Sequence, residues 1–578
     1  MNIRALYTFA LGATAAACGG SDAPADPFVA QDDTPPGASS PAPGGAGPGS
    51  DGAGGDSATG PTDGGAVRPK GPRKTSPQPL HGVPDGFYPR LVLRADGTIV
   101  ASVVRFLPAS GRMGASFFES KDGGVSFAAI GNLDDPRTQG GLCCGTLYEL
   151  PKPLGAMPAG TLLFSASAGG DAPNAPMTLP VWKSGDGGRT WAFVANVAVG
   201  AVPRKNGGLW EPELAMLDDG SLTCHWSDET QGAVHSQKLV VARSTDGVTW
   251  TGKHDTVAVL PQGHRPGMPN VRRPPGGPFV LSYEICGVAG DSCTAWFRTS
   301  DDGWTWGDPA SPGFRPTTLD GRHFRHAPTL AFSPKPGAGG RFFLVGQMTH
   351  RADGTVAPDN GKVLFANSER GYGAWYPVPA PVPVPDAYDN FCPNYSSTLL
   401  PLEDGTVGLE IASRWDGNVC RSYFARGPLI ETTDASEITA GDYRLVSLQS
   451  NLCLDVAGGS TAAGANVQQY GCNGLTAQRW KVTRSANGDV ALAAAVSGMC
   501  LTVAGNAAAP GANVVQQPCG GAGQAWTLRN VGVGHYELRH AGTGSCLDVA
   551  GGSKAQGGNV AQWTCNDLAP QIWRLDRL

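Results

Sequence analysis

The sequence predicts an all-β protein with more than one domain, on the basis of its composition and two internal repeats. Its 578 residues include 83 Gly and 48 Pro, and only 16% are charged. Ordinary soluble chains have about 12% Gly plus Pro and about 25% charge, so this composition favours short strands joined by turns and excludes helical bundles. The two repeats differ in period and occupy separate parts of the chain, which predicts domains built from similar units. The net charge of −6 excludes the basic surface that nucleic-acid-binding proteins use for phosphates, so no nucleic-acid partner is expected.

Residues 1–18 have the layout of a secretory signal: the basic Arg4, an apolar run up to Ala17, and then Cys18. The small residues before Cys18 resemble the processing site of bacterial lipoproteins, which implies that Cys18 becomes a lipidated first residue. Ala15 stands where that site usually has Leu, so cleavage as an ordinary signal peptide near Ala17 stays open. In either case we expect an exported protein whose membrane attachment, where present, is a lipid on Cys18.

Residues 19–80 are predicted to form a disordered tether. The segment consists mainly of Gly, Pro, Ala, Ser, Asp and Thr, and Phe28 is its only aromatic residue. It cannot bury enough apolar surface to offset its chain entropy. About 60 such residues have an r.m.s. reach of about 40–45 Å, which would hold a folded domain clear of a membrane.

A short motif, Ser-x-Asp-x-Gly-x-x-aromatic or a version one residue shorter, recurs along the middle of the chain. Its copies begin at Ser120, Ser184, Ser244 and Ser300, and a degenerate fifth copy begins at Ser368. Asp and Gly suit a tight turn in which the carboxylate accepts hydrogen bonds from backbone N–H groups. The terminal aromatic residue is expected to pack between neighbouring units.

Two apolar strands flanking a Gly-containing turn form a second landmark, which is a hairpin signature. The turn glycines are spaced 56 to 65 residues apart: Gly97, Gly160, Gly220, Gly276, Gly340 and Gly405. Six similar units of this kind are expected to close radially into a six-bladed β-propeller over residues 81–435. The Ser-x-Asp repeats resemble the Asp-boxes of sialidase-like propellers. Those boxes lie on outer turns, so they indicate the fold rather than the function.

A repeat of different character occupies residues 443–578. Its three copies begin at Cys453, Cys500 and Cys546, each has a second Cys 19 positions later, and each is followed by Gln-x-Trp. The pattern resembles the ricin-type β-trefoil carbohydrate-binding module over the whole segment. This resemblance implies a β-trefoil with one disulfide in each of its three lobes.

In that family each lobe binds sugar with an Asp after the first Cys, a Gln and an aromatic residue before the second Cys, and the Gln of Gln-x-Trp. Carboxylate and amide groups suit paired hydroxyls, and an aromatic ring stacks on the apolar face of a sugar. The residues implied are Asp455, Gln468, Tyr470 and Gln478 in the first lobe, and Asp548, Trp563 and Gln571 in the third. The third lobe has Ala561 in place of one Gln. The middle lobe has Thr502 in place of the Asp and Gln517 in place of the aromatic residue, so it is interpreted as structural only.

The other cysteines also agree with an exported protein. Two further pairs are interpreted as staples of loops: Cys286 with Cys293, and Cys392 with Cys420. Cys143, Cys144 and Cys224 are left without an assigned pairing, and none has Cys-x-x-Cys spacing, so no structural zinc is predicted. No cofactor is expected, and the chain is expected to be a monomer.

Two carboxylates are expected to meet at one mouth of the propeller. The first strand of each blade lines the axis, and substrates bind at one end of it. The hairpin alignment places the following residues near the starts of first strands: Arg90, Glu211, Met268, His326 and Tyr395. Glu284 ends the second strand of blade 4, which returns to the same mouth. A paired acid and carboxylate, here Glu211 and Glu284, is what glycoside hydrolysis requires.

The segments around the pair, GLWEPELAML and GMPNVRRPPGGPFVLSYEICG, resemble the exo-1,5-α-L-arabinanases of glycoside hydrolase family 93. The resemblance covers about residues 82–435 and rests chiefly on blades 3 and 4. It implies an exo-acting hydrolase that releases short arabino-oligosaccharides from plant arabinan. We assign Glu211 as general acid/base and Glu284 as nucleophile of a retaining reaction. The residues expected to hold sugar hydroxyls are Arg90, Tyr283, His326 and Tyr395.

Two other functions stay open at this stage. Sialidases share the Ser-x-Asp turns, a Glu before Pro in blade 3 and a Tyr-Ser pair such as Tyr395-Ser396, but they need three Arg residues for the substrate carboxylate. Arg90 fits the first of these, whereas the segment HWSDET stands where the second is expected, which counts against a sialidase. In the second alternative the propeller is a binding platform without catalysis. A polysaccharide or another glycan is the expected partner in every case.

Overall fold

The structure is a computed structural model that describes residues 71–80, 85–172, 174–201, 207–334, 340–368, 370–402, 405–429, 438–532 and 534–578. The predicted signal peptide with Cys18, and the predicted tether up to residue 70, lie outside these ranges. The described chain is built from strands and turns, which confirms the all-β prediction. Its 3-10 helices are Pro136–Thr138, Ala457–Gly459, Thr476–Gln478, Ala504–Asn506, Ala550–Gly552 and Ala569–Gln571. Within the described ranges no helix has the length and apolar character needed to cross a membrane.

Six antiparallel sheets follow one another along the chain as blades, which confirms the six-bladed propeller. Blade 1 consists of β2 (Phe87–Leu93), β3 (Ile99–Leu107), β4 (Arg112–Ser120) and β5 (Ala128–Leu133). Blade 2 consists of β6 (Leu142–Glu149), β7 (Leu162–Ala168), β8 (Thr178–Ser184) and β9 (Ala192–Val199). Blade 3 consists of β10 (Leu209–Met216), β11 (Leu222–Asp228), β12 (Lys238–Ser244) and β13 (Thr251–Val257). Blade 4 consists of β14 (Arg265–Arg272), β15 (Phe279–Cys286), β16 (Thr294–Ser300), β17 (His323–Arg325) and β20 (Met348–His350). Blade 5 consists of β18 (Thr329–Ser333), β19 (Arg341–Val345), β21 (Val363–Asn367) and β22 (Tyr376–Pro379). Blade 6 consists of β23 (Thr398–Leu402), β24 (Val407–Asp416), β25 (Val419–Pro428) and β1 (Gln78–Pro79). The first strands of the blades contact one another in order, and the ring closes between β23 and β2.

The segment before blade 1 completes blade 6. Gln78 pairs with Phe424 in β25, and Thr75 exchanges hydrogen bonds with the backbone of Arg426, accepting from its N–H at 2.9 Å and donating to its C=O at 3.0 Å. The predicted end of the tether at residue 80 is therefore wrong, because residues 71–80 lie on the propeller. Joining the two ends of the chain in one sheet closes the ring and removes an exposed strand edge.

Both predicted turn types have the expected geometry. All six hairpin glycines have positive φ, between 64° and 86°, a region that favours glycine. In the first Ser-x-Asp turn, Asp122 Oδ1 accepts from Ser120 Oγ at 2.8 Å and from the N–H groups of Val125 and Ser126 at 3.0 Å. The next three copies repeat this pattern. The aromatic residue packs on the preceding blade, as when Trp191 stacks on Phe117 with ring centroids 4.4 Å apart.

The chain is distorted at or just before the start of the first strands of blades 1 to 5. In blades 1 to 4 the register with the second strand shifts there, as in a β-bulge, and in blades 1 to 5 a residue with positive φ precedes Pro or Gly. A bulge re-aims the side chain at its apex. Five of these apex residues have positive φ: Tyr88, Cys144, Glu211, Met268 and Ala327. We call them the axial ring, together with Tyr395 of blade 6, which packs in one apolar cluster with Tyr88 and Met268.

The C-terminal strands form the β-trefoil. They are β26 (Gly441–Ser447), β27 (Cys453–Val456), β28 (Val467–Tyr470), β29 (Trp480–Arg484), β30 (Val490–Ala494), β31 (Cys500–Val503), β32 (Val514–Gln517), β33 (Trp526–Gly532), β34 (His535–His540), β35 (Cys546–Val549), β36 (Gly558–Trp563) and β37 (Trp573–Arg577). The three Trp of Gln-x-Trp are fully buried, and each indole donates to the carbonyl of the Leu directly before the lobe's Asp or Thr. Asn466, Asn513 and Asn559 close a ring of hydrogen bonds between the lobes at 2.9–3.0 Å.

A shared apolar cluster packs the trefoil against blade 5. Tyr376 of β22 lies in this cluster with Ile572, and its ring is 5.7 Å from that of His535. At the edge of the contact Arg341, which is fully buried, lies 4.0 Å from Asp567, and Asp567 also pairs with Arg529 at 2.5 Å. The interface is therefore both apolar and charged, and its ion pairs reach the loop that leads into the third lobe's Gln-x-Trp.

All five disulfides expected from the sequence are formed. The three cysteines without a predicted pairing have two different states. Cys143 and Cys144 are bonded to each other, and Cys224 is free and buried. A bond between sequence neighbours was not foreseen, because Cα atoms of bonded cysteines are usually about 4.4–6.8 Å apart.

Candidate active site

Glu211 occupies the axial bulge of β10. Its backbone N–H donates to Ser167 Oγ at 2.9 Å, which ties the bulge to blade 2. Its Oε2 accepts from Ser227 Oγ at 2.6 Å and from the N–H of Met268 at 2.8 Å. Blades 2, 3 and 4 thus fix the backbone and the carboxyl group of a residue that is only 8% exposed.

Glu284 lies on β15, directly opposite Gly267 of β14. Its Oε2 accepts from the N–H of Ala327 at 2.7 Å. The next residue of β14, Met268, donates its N–H to Glu211, so adjacent residues of β14 pair with Glu284 and bind Glu211. The structure thus brings Glu211 and Glu284 together at the junction of blades 3 and 4.

Both carboxyl groups are harder to ionise than an ordinary Glu. Burial raises the pKa of Glu211, against the hydrogen bonds from Ser227 and Met268, which favour its charged form. Burial also raises the pKa of Glu284 to about 8, and the charge of Glu211 adds to the rise. The charge of one carboxyl group thus disfavours ionisation of the other, so the two titrate as a coupled pair.

Three charged or titratable side chains surround the pair. His326 Nε2 lies 3.4 Å from Asp389 Oδ2, and its backbone N–H donates to Cys293 at 2.9 Å. The Asp389 charge raises the pKa of Glu284, whereas the Arg265 charge lowers it. Arg265 is held by Glu229 and by Gln237, each at 2.6 Å. Asp389 and Arg265 were missed because both lie in or beside loops without a motif of their own.

The other blades provide an internal comparison for the two Glu positions. Blades 2 and 3 have Ser167 and Ser227 at the place of Glu284. The rest of the axial ring has no charged residue at the place of Glu211. The other blades therefore fold without a carboxylate at either position, so a structural role does not explain Glu211 and Glu284.

An open cavity adjoins Ser167 and Trp210, the neighbours of Glu211. Its lining residues are Phe87, Met113, Gly141, Leu142, Cys143, Ser167, Gly170, Asp171, Trp210 and Phe391. Ser167 binds the Glu211 backbone, and Trp210 precedes Glu211 in the chain. A largely apolar cavity with a few polar groups, placed beside a carboxylate pair, has the character of a small-molecule site.

Arg90 does not face the cavity, which corrects its predicted role. Its two terminal nitrogens donate to the Ser396 carbonyl and Ser396 Oγ, each at 3.0 Å, and to the Pro89 carbonyl at 2.7 Å. The guanidinium also stacks 4.2 Å from the Tyr88 ring centroid. The bulge shifts the register between Phe87 and Arg90, so Arg90 braces blade 1 against blade 6.

Tyr283 also takes no part in the site. It is fully buried in the apolar core between blades 3 and 4, and its hydroxyl donates to the Pro312 carbonyl at 2.5 Å. Neighbouring residues on a strand point to opposite faces, so Tyr283 and Glu284 cannot both face the pocket. Tyr395 lies in the axial ring, 95% buried, with its hydroxyl 4.0 Å from Met268 Sδ.

Four side chains, Glu284 among them, carry atoms that can bind metals, but they do not form a metal site. Atoms of Glu284, Cys286, Cys293 and His326 lie within 4.8 Å of one another. The two sulfurs are joined in a disulfide, so they are not thiolate ligands. The remaining carboxylate and imidazole are too few to hold a structural ion.

The first and third lobes of the trefoil each present a carboxylate beside an exposed ring. Asp455 accepts from Gln468 at 3.0 Å, and Tyr470 is 41% exposed. In the third lobe Asp548 stands with Trp563, which is 47% exposed. Burial raises the pKa of both Asp455 and Asp548.

The Gln of Gln-x-Trp does not reach a sugar, which corrects its predicted role. Gln478 is 1% exposed, and its amide donates to Asp455 at 3.1 Å and to the Gly471 carbonyl at 2.8 Å. Gln571 makes the same bonds to Asp548 and Thr564. In the middle lobe Gln524 binds Thr502 instead, so this Gln positions the lobe's polar residue whether or not that residue is an Asp.

The fold and the site define a six-bladed propeller with a buried carboxylate pair near its axis, joined to a trefoil with two carboxylate-bearing lobes. Residues 442–573 match the family model of the ricin-type beta-trefoil lectin domain. Comparison with curated protein sequences finds no match.

Solved structures similar to the propeller include the alpha-L-arabinanase of Penicillium chrysogenum in complex with arabinobiose, at 24% identity and a TM-score of 0.53. They also include the GH93 alpha-L-arabinofuranosidase of Fusarium graminearum with arabinobiose, at the same identity and TM-score. Each match covers 62% of this chain and 99% of the other. At this identity the likeness establishes the propeller fold.

Proposed function

We propose that the protein is a glycoside hydrolase, a retaining, exo-acting arabinanase whose trefoil binds carbohydrate. The observation that carries the proposal is the pair formed by Glu211 and Glu284, both buried at the junction of blades 3 and 4, at positions where the other blades need no carboxylate. Retention requires the two carboxyl groups to be about 5–5.5 Å apart. The structural likeness to arabinan-degrading enzymes supports the choice of substrate.

The environments of the two residues favour the reverse of the role order inferred from sequence. Glu211 accepts two hydrogen bonds, which stabilise a carboxylate. Glu284 accepts one from Ala327 and has its pKa raised to about 8, so it holds the proton at neutral pH. We therefore assign Glu284 as general acid/base and Glu211 as nucleophile.

The cavity beside Glu211 suits an uncharged sugar better than a sialic acid. Its lining contains Asp171 and neither Lys nor Arg among the described residues. A substrate carboxylate would meet no cation there, and Arg90 is committed to Ser396. These contacts favour an arabinanase over a sialidase.

Incubation of the purified protein with linear arabinan, sialyl-lactose and xylan tests the proposal. We expect short arabino-oligosaccharides from arabinan only, with the anomeric configuration retained in the first product seen by NMR. Release of sialic acid would replace the proposal by a sialidase. No release from any substrate would leave a binding platform.

The alkaline side of the pH profile should report the proton on Glu284. Activity is expected below the pKa of about 8 and to be lost as the pH rises through it, because the acid is then ionised. Asp389→Asn removes a charge that raises this pKa, so the alkaline limb of kcat/KM should move to lower pH. Asp386→Asn makes the same charge change three residues away and should leave the limb in place. An unmoved limb in Asp389→Asn contradicts the assignment of Glu284 as the acid.

We also propose that Cys18 carries lipid and holds the enzyme on the outer face of a membrane through its tether. The support is the small-residue site before Cys18 together with the disulfides, which are typical of exported proteins. Cys18→Ser should move the protein from the membrane fraction to the soluble exported fraction. Unchanged fractionation would favour an ordinary signal peptide.

A further inference from the structure

The bond between Cys143 and Cys144 does not have the usual function of a disulfide. Disulfides stabilise a fold mainly by closing a loop of the unfolded chain, and the effect grows with loop length. The other disulfides connect cysteines 7 to 28 positions apart, whereas this one connects sequence neighbours. It closes no loop, so loop entropy does not account for it.

The propeller fold does not require cysteines at this place either. Cys144 is the blade 2 member of the axial ring. The equivalent bulges are formed with Tyr88 before Pro89 in blade 1 and Met268 before Pro269 in blade 4. A bulge of this geometry therefore forms without a disulfide, and the pair must serve something else at this position.

The disulfide lies in the wall of the cavity beside Glu211. Cys143 lines this cavity together with Phe87, Trp210 and Phe391, and both cysteines pack in the apolar cluster of the axial ring. Ser167, also in the lining, accepts the backbone N–H of Glu211. Ser167 thus connects the cavity wall to the backbone of Glu211, the proposed nucleophile.

We propose that the Cys143–Cys144 disulfide is the apolar wall of a subsite that holds one uncharged sugar unit of the substrate chain, next to the unit at the Glu pair. The proposal rests on the proposed glycoside hydrolase function. The bonded cysteines form a small covalent ring with polarisable sulfur on its surface, suited to the C–H face of a sugar in the way that sulfur suits other apolar partners. Phe87 and Phe391 extend the same apolar wall.

The polar groups of the cavity fit the hydroxyls of the same sugar. Asp171 and Ser167 are the side chains in the lining that can hydrogen-bond as carboxylate and hydroxyl. A side chain at Gly141 would meet Asp171 Oδ2 at 2.4 Å, so Gly141 lets the carboxylate lie close to the disulfide strand. With a carboxylate and, among its described lining residues, neither Lys nor Arg, the subsite is expected to select against uronate or sialate units.

The test replaces both cysteines by Ala in the full-length protein. We expect KM for linear α-1,5-arabino-oligosaccharides to rise about tenfold, the scale of a lost stacking contact, with kcat changed less than about twofold because the Glu pair is intact. Phe391→Ala, which changes the same apolar wall, should raise KM in the same way and serves if the double variant does not fold. The matched control, Cys500→Ala with Cys519→Ala, removes a disulfide from the middle lobe and should leave KM unchanged. Unchanged KM in a folded double variant, or in Phe391→Ala, overturns the proposal.

A binding experiment separates failure of the subsite from failure of the proposed function. Asp455→Ala with Asp548→Ala first silences the trefoil, and arabinotriose, xylotriose and trigalacturonate are then titrated calorimetrically. If no sugar is hydrolysed but a neutral trisaccharide binds, and binds about tenfold more weakly without the disulfide, the arabinanase assignment fails and the subsite stands. Binding of neither neutral sugar, or equal binding of trigalacturonate, overturns the subsite.

Discussion

Replacing Glu284 by Gln is expected to lower hydrolysis of linear arabinan by about 10³-fold or more without unfolding the protein. General acid–base catalysis contributes roughly 10²–10⁴-fold, and an amide cannot donate the proton that the leaving oxygen needs. The fold should tolerate the change, because Gln keeps the shape and an oxygen that can accept the N–H of Ala327. The measurement is the rate of release of arabino-oligosaccharides, with melting temperature as the check on folding.

Glu211→Gln is expected to be equally inactive on arabinan, and the leaving group separates the roles of the two residues. A nitrophenyl arabinoside needs little acid assistance, so Glu284→Gln should keep much of its activity on it. Glu211→Gln should lose activity on both substrates, because the nucleophile is required for either. The opposite result would restore the assignment inferred from sequence, with Glu211 as the acid.

Glu410 offers a matched control for a buried carboxyl group. It is 1% exposed on β24, accepts the N–H of Val382 at 2.6 Å, and burial raises its pKa to about 8. No other described carboxyl group contributes to its pKa, so Glu410→Gln should leave turnover within about twofold. Near-normal activity in Glu211→Gln or Glu284→Gln, or a loss in Glu410→Gln as large as theirs, contradicts the catalytic pair.

The features that could be predicted from sequence are those that depend on a few neighbouring residues. A Ser-x-Asp turn needs only an Asp that accepts nearby N–H groups, as Asp122 does, and a hairpin needs only a glycine with positive φ, such as Gly97. Their repetition at a regular spacing then indicated the number of blades. The trefoil could be predicted for the same reason, because each lobe repeats its own local pattern.

The features that could not be predicted depend on contacts between distant segments. The two-residue strand at Gln78 has no periodic pattern, and it forms because the edge of β25 is open to it. The bulge in β2 decides that Arg90 faces Ser396 rather than the pocket, and hairpin alignment does not reveal a bulge. Asp389 raises the pKa of Glu284 from the connection between blades 5 and 6, a position set by tertiary structure alone.

Two Glu residues in Trp-Glu-Pro-Glu illustrate how the structure resolves an ambiguity in the motif. Glu211 and Glu213 are both buried, but Glu213 is paired with Arg272 at 2.6 Å and bonded to Asn270 and Thr146. Its charge is neutralised inside the blade, which is the usual state of a structural carboxylate. Glu211 forms no ion pair with the residues that the structure describes, and Arg265 affects its pKa only through its charge, so the Glu211 carboxyl group is not neutralised by a bound cation within that part of the chain.

Removing the carboxylates of both outer lobes is expected to abolish retention of the protein on a polysaccharide gel. A hydrogen bond to a charged group contributes about 1.5–3 kcal/mol, so Asp455→Ala alone should weaken binding to arabinan by about 10- to 100-fold. Two lobes bind one polymer jointly, and avidity exceeds either single affinity by about 10²–10⁴. Asp455→Ala with Asp548→Ala should therefore lose nearly all retention in affinity electrophoresis.

Turnover of a soluble arabinotriose should survive the same double change, because the trefoil carboxylates and the Glu pair lie in different domains. Thr502→Ala is the matched control: it alters the same position in the middle lobe, where Gln524 binds a hydroxyl and no carboxylate is present, and it should leave retention unchanged. Acidification should mimic the double variant. Burial raises the pKa of Asp455 and Asp548, so both lobes lose their charged acceptor as the pH falls, at a higher pH than an ordinary Asp would. Equal losses in Asp455→Ala and Thr502→Ala, or retention that persists in the double variant, would show that the polymer binds elsewhere on the chain.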